Sequence, residues 1–224
     1  MGRTITALRV QKRNPNRVNV YLDGEFAFGL ARIVAAWLSV GQVLEEGQIE
    51  KLRAQDTVEV AYQKALQLLS YRERSEAEIR RRLTDGGFDR EVTDAVLLRL
   101  REAGLVQDDR YARQWVESRS LSRPRARRAL AAELKRKGIA KETIEQALED
   151  AAPEEDLAYA AASKQARRLQ DLPLDTFRAR LGGFLARRGF GYDVSGEVLR
   201  RVWSELHPNG DEELSGIRRG EKNG

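Results

Sequence analysis

A glycine followed by a large apolar residue occurs at Gly87-Phe88, Gly138-Ile139 and Gly189-Phe190, and the three glycines stand 51 residues apart. Ile79, Leu130 and Leu181 keep that spacing upstream, as do Leu83, Leu134 and Leu185. Leu97, Leu148 and Leu199 keep it downstream. A match at a single glycine would carry little weight, whereas several positions holding one period through three copies describe a repeat array. Apolar residues within each copy recur at helical spacing, so the units are helical. The fold expected is mainly α: three tandem three-helix repeats in an elongated array, behind a small N-terminal antiparallel β-meander with a helix.

Taken in order, Ile5 to Val10 and Arg17 to Leu22 are β-rich runs, and the second leads through Asp23-Gly24 into Phe26 to Leu30. Asp-Gly between alternating apolar residues signals a hairpin, because both residues tolerate positive φ. Val18, Val20 and Leu22 then share one face. A sheet this small needs a cover, and Ala31 to Leu38 supplies a short apolar helix carrying Trp37, followed by a turn at Gly41 to Gly47. A helix from Gln48 to Leu69, with a possible break at Gln55 to Thr57, connects to the repeats. Residues 1–57 form the sheet unit, 58–106 the first repeat, 107–152 the second, 153–206 the third, and 207–224 a polar, disordered tail. Ser75 and Asp89 are expected helix caps in the first repeat, with Asp108 in the same role at the start of the second. The glycines mark helix C-termini.

Several chemistries are excluded at once. The chain has no cysteine and one histidine, His207, so disulfides, thiolate metal sites and histidine-based triads are ruled out. No apolar run approaches the roughly 20 residues that span a bilayer, there is no P-loop motif, and the N-terminus lacks a signal-peptide core. The Asp108-Asp109 pair begins a helix, where acidic residues favour the dipole. We expect a non-enzymatic, cytoplasmic monomer with no catalytic residues, metal, cofactor or membrane contact.

Charge placement is more informative than the net charge of +5. Between Arg119 and Lys137 eight basic residues face a single acidic one, Glu133. On a helical wheel Leu130 and Leu134 face the core, while Arg125, Arg128, Lys135 and Arg136 fall towards the outside. The corresponding helix of the first repeat carries Arg80 and Arg81, and that of the third carries Arg180 and Arg187. With Arg119 and Arg123, these are the candidate residues for binding a partner or nucleic acid, as a broken basic band. Such a band neutralises phosphates without reading sequence, or meets an acidic protein groove. The residues leave both open, along with helix-turn-helix-like DNA binding by the three-helix units.

The run GLVQDDRYARQWVESR (Gly104 to Arg119), followed by RPRARRALAAELKRKGI (Arg123 to Ile139), closely resembles the RecX family of recombinase regulators. ALQLLSYRERSEAEIRRRLTDGGF (Ala65 to Phe88) is similar to that family's first repeat, and RVNVYLDGEFAFGL (Arg17 to Leu30) to an N-terminal extension of some members. Many members have glycine before the turn proline, where this chain has Arg123. The resemblance implies a bacterial cytoplasmic protein that binds the RecA filament in its helical groove and restrains strand exchange and co-protease activity, with a possible sequence-independent DNA contact. The family has no catalytic residues to carry over.

Overall fold

The computed structural model describes residues 2–208, and the chain divides into two compact units between Gln107 and Asp108. The first opens with a sheet of β1 (Arg3–Gln11), β2 (Asn14–Leu22), β3 (Glu25–Ala31) and β4 (Val43–Leu44), in the order β3-β2-β1-β4 with antiparallel neighbours. The β2–β3 turn uses positive φ at Asp23 (51°) and Gly24 (90°), as its Asp-Gly signal predicts. The Asp23 carboxylate accepts from the Thr4 amide and from Arg3 Nε, both at 2.9 Å, and these bonds hold its pKa below the usual carboxylate range.

The meander expectation omitted β4, which lies inside the predicted Gly41 to Gly47 turn. Two residues are too few to show a period of two. What makes the strand is its pairing of Arg3 with Leu44, extended by Ile5 N to Gln42 O and Gly41 N to Ile5 O, both 2.8 Å. The expected cover is also corrected. Helix α1 spans only Arg32–Ala35, and Trp37 beyond it is 89% exposed. The sheet's apolar face, Val18, Val20, Leu22, Phe28 and Leu30, buries against Ala35 with Val34 and Leu38 of the expected cover alongside, and also against Ile49 and Leu52 further on.

Ile49 and Leu52 belong to α2 (Glu46–Tyr71), which begins with a reciprocal Glu45/Gln48 capping box and runs without the anticipated break. Asp56, a poor helix former, is engaged elsewhere: it accepts from Ala31 N at 2.5 Å and from Arg17 Nη2 at 2.9 Å. Its tertiary bonds fasten the sheet to the helix and offset a weak local propensity.

The C-terminal half of α2 packs with α3 (Glu76–Asp85) and α4 (Arg90–Glu102) around Ala61, Ile79, Leu83, Val96, Leu97 and Leu100. Ser75 Oγ and Asp89 Oδ1 cap α3 and α4 as expected, accepting from Glu78 N and Val92 N. In the second unit α5 (Asp108–Ser122), α6 (Arg127–Arg136) and α7 (Lys141–Glu149) enclose Tyr111, Ala112, Val116, Leu130, Leu134, Ile139, Ile144 and Ala147. Then α8 (Glu154–Ala166), α9 (Leu174–Arg187) and α10 (Tyr192–Leu206) enclose Leu157, Phe177, Leu181, Leu185, Val198, Val202 and Trp203. His207, expected to open the tail, stacks on Trp203 with its Nε2 3.0 Å from Gln170 O. The rest of the expected tail, from residue 209, lies outside the described residues.

The periodic glycines end α3, α6 and α9 identically. Gly87, Gly138 and Gly189 have φ of 85°, 79° and 94°. The following residue donates to the leucine five positions back: Phe88 to Leu83, Ile139 to Leu134, and Phe190 to Leu185, at 3.1 to 3.2 Å. The glycine itself donates to Thr84, Lys135 or Ala186. This is the Schellman arrangement, and it tucks Phe88, Ile139 or Phe190 against the core.

Gly189 has a second role. A Cβ there would lie 2.8 Å from the Ala129 Cβ, so only glycine lets the end of α9 touch α6. The contact is sealed by Ala126 N to Arg188 O at 3.1 Å and by Arg128 donating to the carbonyls of Gly189 and Phe190. Ala126 is buried in the third repeat's core. A comparison of Gly87→Ala with Gly189→Ala isolates this contact. Nothing lies within 4 Å of the added methyl at 87, so that change costs about 1 to 2 kcal/mol for positive φ. Gly189→Ala adds an overpacking cost of about 1 to 3 kcal/mol, and urea unfolding should show the larger loss. Leu134→Ala, which empties a fully buried site, should cost roughly 2 to 5 kcal/mol in the same assay.

Candidate partner-binding surface

The expected binding cations divide into those held by the fold and those left in solvent. Glu133 lies on the buried side of α6, 7% exposed, although it is the segment's single acidic residue. Arg125 Nη1 donates to its Oε1 at 2.8 Å, Arg119 Nε sits 3.3 Å from Oε2, and Trp115 Nε1 donates to Oε2 at 2.9 Å. Arg119 also lies over the Trp115 ring at 4.5 Å, and that ring stacks on Tyr111. A carboxylate this buried is tolerated only with charge-matched donors. Arg119 and Arg125 are therefore parts of the second repeat's interior edge, and Arg125 does not face outward as the wheel suggested.

Arg128 is likewise engaged, closing the contact with Gly189 and Phe190. Arg80 pairs with Asp94 at 2.5 Å, and that hydrogen bond is the main reason the Asp94 pKa is lowered. The remaining candidates, Arg81, Arg123, Lys135, Arg136, Arg180 and Arg187, are exposed and make no side-chain ion pair among the described residues. Aligned on the glycines, only Arg136 and Arg187 of the candidates share a position, which the first repeat fills with Asp85.

Two exposed cations were missed. Lys164 and Arg168 sit one turn apart at the end of α8 and just beyond it, and neither side chain has a partner among the described residues. The charge reading takes in only the segment from Arg119 to Lys137 and the corresponding helices of the other repeats, and so passes over them. The available signal was their i, i+4 spacing on a face away from buried Ala162 and Ala166.

Asp109 pairs with Arg113 at 2.6 Å, and Asp108 lies within the first turn of α5. Among the described residues no group of three or more His, Cys, Asp or Glu is placed to hold a metal, and no helix is long and apolar enough to cross a membrane.

The two kinds of arginine separate experimentally. Arg125→Glu sets a second carboxylate against buried Glu133 and should lower stability by more than about 1 kcal/mol. Arg136→Glu, at the end of α6, should change it by less than about 0.5 kcal/mol. Thermal melts of the two variants check this.

Family models for RecX match nearly all of the described chain: the Regulatory protein RecX N-terminal domain over residues 3–45, and the first, second and third RecX three-helix domains over 61–100, 108–148 and 153–208. A regulatory protein RecX from Levilactobacillus brevis is 34% identical over 97% of this chain and 83% of its own length. One from Mycobacterium sp. (strain JLS) is 42% identical over 63% of this chain and 80% of its own length. A crystal structure of a regulatory protein RecX, 29% identical, superposes with a TM-score of 0.71 over 88% of this chain and 98% of that one. With sheet, repeats and length all matched, the chain belongs to the RecX family of regulatory proteins.

Proposed function

We propose that this protein binds the RecA recombinase filament and restrains its recombinase and co-protease activities, acting in the cytoplasm as a monomer without catalysis of its own. The observation that carries this reading is the family match, which runs from the sheet through all three repeats. The site chemistry agrees with it. Exposed cations with no side-chain partner among the described residues, such as Lys135, Arg136 and Arg187, suit rapid capture of a negatively charged assembly. Contacts that are weak one by one add when several repeats of one chain engage one filament.

The test is the ATPase activity of RecA on single-stranded DNA with this protein at saturation, followed by strand exchange. Both activities should fall. The triple variant Lys135→Glu, Arg136→Glu and Arg187→Glu should retain the wild-type melt yet need roughly ten times more protein for the same effect. Unchanged ATPase with saturating wild-type protein would contradict the proposal.

A further inference from the structure

A concavity of about 400 Å³ opens in the second unit where the α5–α6 turn meets α8 and the end of α9. Its wall carries four cations, Arg123, Lys164, Arg168 and Arg188, with Ser122 and Gln165 between them, and no lining residue is acidic. The sequence explains the recess. Ala160 and Ala161 on α8 are small and form part of the lining, and the next turns of the same face project Lys164 and Arg168 at its edge. Pro124 turns the chain so that Arg123 lies opposite.

Three of the four cations, Arg123, Lys164 and Arg168, have no side-chain partner among the described residues. The fourth is fixed in place. Arg188 Nη1 donates to Pro124 O at 2.9 Å, and its guanidinium lies 4.5 Å over the Phe184 ring. Burial first, and then the charges of Arg125 and Arg123, push the Arg188 pKa below the usual arginine value. Like charges are therefore gathered without a carboxylate to relieve them, in contrast to Glu133 serving Arg119 and Arg125. An external anion would remove that repulsion.

We propose that this concavity is a phosphodiester site that holds the backbone of a nucleic-acid strand without reading its bases. Charge decides the ligand class. A single side-chain carboxylate satisfies one guanidinium fork, whereas successive backbone phosphates bring repeated charge and several oxygens to Arg, Arg, Lys and Arg together. Base reading is not provided for: Phe184, the one aromatic ring in the lining, has Arg188 over it. Recognition is thus sequence-independent and salt-sensitive. The site extends the reading of this unit as the binding surface, and its test contains no recombinase, so the two proposals fail separately.

The experiment is fluorescence anisotropy of labelled oligothymidylate titrated with the full chain at several salt concentrations. Lys164→Gln with Arg168→Gln should weaken binding at least about tenfold and shallow the salt dependence by between one and two phosphate contacts. Lys135→Gln with Arg136→Gln, an equal charge change on α6, should have a much smaller effect. An uncharged methylphosphonate oligomer should bind wild type and the α8 variant alike. Arg188 is left intact because it also ties α9 to the α5–α6 turn, and circular dichroism checks that each variant folds. Wild-type affinity in the α8 variant would overturn the proposal.

Discussion

The bond from the amide after each periodic glycine back to a core leucine is the constraint on which the repeats depend. It ends α3, α6 and α9 at the same turn and swings Phe88, Ile139 or Phe190 inward before the next helix begins. Positive φ at the glycine makes the turn available at no Cβ cost. In the third repeat the missing side chain does more, because the Gly189 backbone meets the Ala129 methyl and Ala126 enters the neighbouring core. Repeats two and three are joined by hydrogen bonds as well as by sequence. That junction sets the distance between Arg123 on one side and Lys164, Arg168 and Arg188 on the other.

Arginine serves two purposes here, and composition alone does not separate them. Arg119 and Arg125 neutralise a buried glutamate, Arg128 satisfies the carbonyls of Gly189 and Phe190 just beyond α9, and Arg17 braces the sheet through Asp56. α6 has no side-chain cap at Ala126, and its first turn has no acidic residue. Others, such as Arg123, Arg136, Arg168 and Arg187, make no side-chain ion pair among the described residues.

Much of the fold was legible because its signals are periodic or local. The spacing of the glycines gave three helical units, Asp23-Gly24 gave a hairpin, and Ser75 and Asp89 gave helix starts. What escaped was set by distant residues. Strand β4 exists only through Arg3 and Ile5, and α2 continues through Asp56 because Ala31 and Arg17 occupy that carboxylate. The binding surface was harder to read. A helical wheel extended back to Arg125 misleads, because Arg125 precedes α6, and it shows neither that Glu133 waits beside Arg125 nor that Gly189 meets Arg128. Lys164 and Arg168 went unseen because their role depends on Arg123 and Arg188 from other helices.

The central claim is that the second unit presents its unpaired cations, around the α5–α6 turn and the end of α8, to a polyanionic filament. Hydrogen–deuterium exchange of the protein alone and with recombinase filaments on single-stranded DNA tests it most directly. Exchange should slow at the amides of residues 121–126 and 164–172 when filament is added. Slowing confined to residues before 107, or none anywhere, would contradict the account.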